Sequence, residues 1–174
     1  EDGEVCIMQR FPPKPVEGVN VTFSAAGVQM LAHDLKGGGL EDVMEELDGA
    51  AAGEMFELAT LTRPGPFAPQ TNRMGRFIGI RDQGRLVAMA GERLQVDGHC
   101  EISAVCTHPD YRGRGYGGAL LTAVGARLRS EGIVPYLHAY ADNEVAIALY
   151  RKMGFERRCD VVQEFWERSG RQGV

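Results

Sequence analysis

At 174 residues, with a formal charge of −5 and with 44% hydrophobic and 25% charged residues, the chain has the length and composition of one globular domain able to bury most of its apolar surface. The acidic balance argues against broad attraction to nucleic acid. No apolar run approaches the ~20 residues of a membrane span, and no signal-peptide pattern opens the chain. Four cysteines, Cys6, Cys100, Cys106 and Cys159, show neither CxxC nor metal-ligand spacing, so they are read as reduced thiols of a cytoplasmic protein with no structural metal.

The first forty residues carry the weakest signals. Val5–Arg10 reads as a short strand broken by the proline run Phe11–Pro15, and Val28–Leu35 as a strand whose alternation is blurred by Gln29, Ala32 and Asp34. Gly37–Gly39 marks a loop. From Leu40 to about Leu61 the spacing turns helical: Leu40, Val43, Met44 and Leu47 recur at i, i+3, i+4 and i+7, and Met55, Leu58 and Leu61 resume after Gly49–Gly53. This predicts two helices with a break at the glycines. Arg63-Pro-Gly-Pro66 must be a loop, because proline is not tolerated in a helix interior.

The second half is more regular. Arg76–Ile80 and Arg85–Gln95 read as strands joined through Asp82–Gly84, and Asp97-Gly98 is a hairpin signal leading into a strand from about Cys100. A helix over 116–130 carries Leu120, Leu121, Val124 and Leu128 on one stripe and stops at Gly132. Val134–Tyr140 is the next strand. Asp142 or Asn143 caps a helix whose Ala146, Leu149, Tyr150 and Met153 share a face, with Gly154 behind it. A last strand lies near Asp160–Trp166. The order is an antiparallel meander followed by strand–helix–strand–helix–strand, an α/β domain around one mixed sheet.

The chemistry concentrates where the meander ends. After Thr107 comes His108-Pro-Asp-Tyr-Arg-Gly-Arg-Gly-Tyr-Gly-Gly118, a basic glycine-rich loop that opens a helix. Backbone N–H groups, a helix N-terminus and two guanidinium groups there form a socket for a multiply charged anion, a pyrophosphate above all. Gly113, Gly115 and Gly118 satisfy GxGxxG, and Asp142 follows the next strand as the acidic residue of a dinucleotide fold would. Three features oppose that parse. His108–Arg112 separates strand from first glycine, antiparallel strands precede the loop where a doubly wound sheet should begin, and only 32 residues follow Asp142.

The other parse is Arg112-x-x-Gly115-x-Gly117, which resembles the coenzyme A pyrophosphate loop of the GNAT superfamily of N-acetyltransferases. Two further stretches carry the resemblance. Glu101–Arg112 is similar to that superfamily's central strand and its His-Pro-x-Tyr-Arg exit, and Tyr136–Phe155 to its second block, with an Asn-started helix ending Leu-Tyr-x-Lys-x-Gly-Phe. The match covers roughly 76–166 and is vague before residue 60. It implies a single GNAT-like domain over 1–174, with a variable part at 1–60 and an acetyl-CoA-binding core at 76–166. It also implies central strands that splay apart, so that the pantetheine arm pairs with the main chain of Val105, Cys106 and Thr107. Gly113, Gly115, Gly117 and the N–H groups from Arg112 through Gly118, Tyr116 included, would hold the pyrophosphate, aided by the Arg112 and Arg114 side chains. Asn143 would touch the coenzyme.

The reaction implied is transfer of an acetyl group from acetyl-CoA to a primary amine by direct attack, releasing coenzyme A. A non-catalytic acyl-CoA sensor is the alternative. By resemblance, Tyr150 lies near the thioester sulfur and protonates the departing thiolate. For the amine's proton, Glu101 is the leading base: regular alternation puts it on one face with Ser103, Val105 and Thr107, and partial burial would raise its pKa. Glu92 competes for the role, and His108 and His138 are lesser candidates. Cys106 as an acyl-accepting nucleophile lacks an identifiable base. The acceptor is a small molecule or a peptide amine, its walls coming from residues 40–75 and the C-terminal strand, and a homodimer suits folds of this kind.

Overall fold

The computed structural model describes residues 4–169; residues 1–3 and 170–174 of the expected 1–174 domain lie outside the described residues. In chain order the elements are β1 (Val5–Gln9), β2 (Val19–Ala32), β3 (Met44–Leu47), α1 (Ala52–Thr62), β4 (Phe77–Asp82), β5 (Arg85–Val96), β6 (His99–Thr107), α2 (Tyr116–Ser130), β7 (Val134–Tyr140), α3 (Glu144–Lys152) and β8 (Phe155–Arg168). The strands form one eight-stranded sheet in the order β1-β8-β2-β7-β6-β5-β4-β3. Every neighbouring pair is antiparallel except β6 and β7. That single parallel pair is where the chain crosses over through α2, as a parallel connection requires.

Two cores sandwich the sheet. On one side α2 packs Leu120, Leu121, Val124 and Leu128, all at 0% exposure, against Val28, Met30, Ile80 and Leu137; each such side chain contributes roughly 1.5–3 kcal/mol. On the other side α1 packs Met55, Leu58 and Ala59 against Phe77, Met89, Ala104 and Cys106. No helix among the described residues is long and apolar enough to cross a membrane.

The expected helix at Leu40–Leu47 does not form. Glu41–Val43 is a short 3-10 turn and Met44–Leu47 is the edge strand β3, paired with Phe77–Ile80. Residues three apart on a strand face opposite ways. Met44 packs toward α2 and Leu47 toward α1, so an edge strand between two cores imitates helical spacing. Leu40 and Val43 are exposed. The second expected helix is α1, preceded by Asp48, whose carboxylate accepts from the Ala50 N–H at 2.8 Å.

Two strands run longer than their sequence signals. β2 begins at Val19, not Val28, and β8 at Phe155, not Asp160, because the two pair along their lengths with register shifts after Val21 and Gln29. On α3 the expected stripe is partly wrong: Tyr150 and Met153 pack on the core together with Ile147, while Leu149 stays exposed.

Candidate active site

β6 and β7 pair only at His99–Val134, Cys100–Pro135 and Glu101–Tyr136. Beyond that point they diverge, as expected, and a cleft of about 280 Å³ opens between Ile102–Val105 and Leu137–Tyr140. Asn143, Ala146 and Tyr150 of the α3 region line it on one side, and Thr62–Pro66 on another.

The fork depends on a break in β6. Cys100 and Ile102 lie in the core under α2, whereas Ala104 and Cys106 lie in the core under α1. Even-numbered residues of a regular strand would share one face. Ala104 adopts φ 54°, and the register with β5 slips between Met89–Cys106 and Gly91–Ser103, which is a β-bulge. The bulge corrects the expected face of Glu101. Val105 and Thr107 turn toward α2, within 3.7 Å and 3.5 Å of where a Gly117 side chain would begin. Glu101 stays on the α1 side.

The His108 N–H donates to the Val87 carbonyl on β5. Backbone alternation then directs the polar groups of Val105 and Thr107 to the open side, where no strand among the described residues takes them. Cys106 is turned the other way. Its thiol is buried beneath α1, and burial pushes its pKa up to about 11, which keeps it protonated and unreactive.

The glycine loop lies at the α2 end of the cleft. Gly113 and Gly115 have φ 78° and 80°, the left-handed region that glycine enters without cost, and Gly115 is the N-cap of α2. Arg112 spends its N–H on the Pro109 carbonyl at 3.3 Å, so it is not among the inward-pointing donors, contrary to expectation. Residues 112 and 113 form a hydrogen-bonded turn, and beyond it, among the described residues, none of the N–H groups from Gly115 to Gly118 donates to a backbone carbonyl. The Arg114 guanidinium lies 4.7 Å from the centre of the Tyr111 ring, whose hydroxyl donates to Asp82 at 2.7 Å. Tyr116 packs on the α2 core.

Tyr150 reaches the cleft from α3 and stacks at a tilt on Phe155, centroids 6.0 Å apart. Burial raises its pKa, so the phenol holds its proton across neutral pH. Asn143 caps α3, its carbonyl oxygen accepting from the Ala146 N–H at 3.1 Å, and it also lines the cleft.

Glu101 is 1% exposed. Arg93 donates to both its oxygens at 2.8 Å, and His138 Nδ1 lies 2.7 Å from Oε1. Burial pushes its pKa up, but the hydrogen bonds and charge of His138 and Arg93 outweigh that and hold it below the ordinary value. The expected raised pKa is therefore reversed: a carboxylate gripped by these donors is a weak base. Glu92 is gripped similarly by Arg76 and Arg127 and lies outside the cleft. His108 sits against Arg85 and Tyr111, and its ring accepts from the Asp110 N–H.

Sequence reasoning missed Arg93, Gln29, Met8 and Gln163. A regular hairpin from Val96–His99 would put Leu94 opposite Glu101; the register shift between Glu92 and Gln95 instead turns Arg93 onto the carboxylate. Met8 and Gln163 join the cleft wall because β1 and β8 pair at that position, a juxtaposition no local pattern announces.

The sequence model of the Acetyltransferase (GNAT) family matches residues 42–155, and the chain belongs to that family. It is similar to a solved GNAT-family structure from Novosphingobium aromaticivorans, with 38% identity and a TM-score of 0.90 over 97% of this chain and 75% of that one. The ribosomal-protein-S18-alanine N-acetyltransferase of Escherichia coli shares the fold, with a TM-score of 0.56 at 21% identity over 75% of this chain and 97% of that one. In sequence, the N-alpha-acetyltransferase RimI of Mycobacterium tuberculosis is 39% identical over 84 residues, 47% of this chain and 52% of RimI. The mycothiol acetyltransferase of Nocardiopsis dassonvillei is 32% identical over 91 residues, 47% of this chain and 27% of that protein. The chain thus spans about half, or less, of the length of these curated relatives.

Proposed function

We propose that this chain moves the acetyl group of acetyl-CoA onto a primary amine by direct attack. The observation that carries the reading is the fork itself: two central strands part immediately beyond Glu101–Tyr136, leaving unpaired backbone at Val105 and Thr107. An extended pantetheine arm supplies the amide groups such an edge lacks. At one end of the fork the free N–H groups of Gly115–Gly118 and the α2 dipole suit a pyrophosphate. At the other, Tyr150 faces the space where the thioester would lie.

In this reading the amine lone pair bonds to the thioester carbonyl carbon, the nitrogen gives up a proton to a base, the C–S bond breaks with its electron pair on sulfur, and the Tyr150 hydroxyl protonates that sulfur and is reprotonated from solvent. The acceptor enters between Thr62–Pro66 and the β1–β8 side, past Met8 and Gln163. An alanine-initiated peptide is the first acceptor to try, because two similar proteins are named for N-alpha or alanine acetylation.

Thermal unfolding with acetyl-CoA, with NAD as control, tests the cosubstrate. At about one hundred times its dissociation constant, a ligand adds roughly 2.7 kcal/mol, which is about 5–11 °C for a domain of this size. A rise with acetyl-CoA and thiol release on adding an amine supports the enzyme. A rise without thiol release from any amine supports a sensor instead, and a rise with NAD alone refutes the loop assignment.

A further inference from the structure

Five adjacent strands contribute one side chain each to a single hydrogen-bonded line across the sheet. Arg158 Nη1 on β8 reaches Gln29 Oε1 on β2 at 2.5 Å, and Gln29 Nε2 lies 3.1 Å from His138 Nε2 on β7. His138 Nδ1 lies 2.7 Å from Glu101 Oε1 on β6, and Arg93 on β5 closes the line on the same carboxylate. Arg93 also donates through Nη1 to the Pro66 carbonyl, 3.1 Å away in the loop bordering the cleft.

The line has only one direction. A guanidinium can only donate, so Gln29 Oε1 accepts and its amide nitrogen is the atom facing His138. That nitrogen also only donates, so His138 Nε2 accepts. The ring is then the Nδ1–H tautomer and donates to Glu101, which is already held by Arg93. Glu101 has its oxygens committed to three donors. His138 has a ring nitrogen whose one partner among the described residues is a neutral amide, in a side chain that lines the same cleft as Tyr150.

We propose that His138 is the general base for the acceptor amine. Its Nε2 takes the amine proton in place of the Gln29 N–H, and Glu101 fixes the ring and stabilises the imidazolium that forms, the division of labour of a carboxylate–histidine pair. This rests on the acetyl transfer proposed above. As the amine nitrogen bonds to the carbonyl carbon it becomes cationic, and one N–H proton passes to Nε2. The C–S electron pair leaves on sulfur, which takes the Tyr150 proton. Solvent then removes the proton from His138 and returns one to Tyr150.

The charged and titratable groups that share the cleft or the hydrogen-bonded line with the ring are Glu101 on β6, Arg93 on β5, Arg158 and Cys159 on β8, Arg63 after α1, Tyr140 two residues along β7 and Tyr150 on α3. Tyr136, on its own strand, packs edge-on at 5.6 Å, and the Cys6 thiol of β1 lies close enough to feel both Arg93 and Glu101.

The test measures thiol release from acetyl-CoA, with an alanine-initiated tripeptide and simple alkylamines as acceptors, across pH for the wild type, His138→Gln and Gln29→Leu. Glutamine keeps an N–H for Glu101 but cannot accept the amine's proton as a base. His138→Gln is expected to lower kcat/KM for the acceptor by about 10²-fold or more and to flatten its acidic limb, with acetyl-CoA affinity within about twofold of the wild type. Gln29→Leu removes a donor from Nε2, which favours its protonation, so the acidic limb moves to higher pH. A merely structural line would lower rates without moving that limb. If Gln29→Leu leaves the limb in place, or His138→Gln keeps both limb and rate, the base assignment is overturned. A wild type that binds acetyl-CoA but releases no thiol with any amine overturns the acetyl transfer itself, and this role with it.

Discussion

Replacing Arg93 with methionine isolates the buried ion pair at the closed end of the fork. The Arg93 and Glu101 side chains are 10% and 2% exposed, so the substitution leaves a carboxylate sealed from water with His138 as its remaining partner. Removing one member of a buried pair typically costs about 3–5 kcal/mol. For a domain of this length that is a fall of roughly 6–20 °C in the unfolding midpoint. The pH dependence identifies the cause. In the wild type the folded carboxyl lies below its unfolded value, so its contribution is present above the unfolded pKa and is lost as pH falls through the folded one. Without Arg93, burial is opposed by His138 alone and the folded pKa rises. The variant then loses stability as pH climbs through that raised value. The deficit relative to the wild type should therefore be larger at pH 8 than at pH 5, read by thermal unfolding at both. Equal deficits would refute the charge argument and leave only lost packing.

The loop and the proposed acid make separate predictions. Gly115→Asp places a side chain at φ 80° and a negative charge beside the free N–H groups of α2, so acetyl-CoA binding by calorimetry should fall at least about 100-fold; unchanged affinity would defeat the pyrophosphate assignment. Tyr150→Phe should lower kcat by about 10²–10⁴ while acetyl-CoA affinity stays within about twofold, and full turnover in that variant would rule the acid role out.

What could be read from the chain was whatever is encoded locally. α2 and β7 have the expected bounds because a continuous apolar stripe, a glycine at each end and an alternating run leave one solution. The hairpin at Asp97-Gly98 is equally local. β3 was unreadable because Met44 and Leu47 serve opposite cores, and the full extent of β2 because its partner lies at the far end of the chain. The bulge at Ala104 carries no glycine or asparagine to announce a left-handed residue, so alternation carried Glu101 to the wrong company. The same division holds at the site. The glycine loop and Tyr150 sit in contiguous motifs, whereas the line from Arg158 to Arg93 exists only through the order β8-β2-β7-β6-β5.

The insertion of β2 between β7 and β8 also sets a schedule. Thr22 bonds to the Phe165 carbonyl, 143 positions later in the chain, and the β2–β8 ladder is built from contacts of that range. On a ribosome adding about 5–20 residues per second, β2 emerges some 7–29 s before the strand it must meet. Until then Val28, Met30 and Ala32, which end up almost wholly buried, lie along an open edge of the kind that recruits other strands. Such long-range pairing also makes folding slow once synthesis ends. The nascent chain is therefore most exposed to aggregation in the interval between its first strands and its last, whatever the stability of the finished sheet.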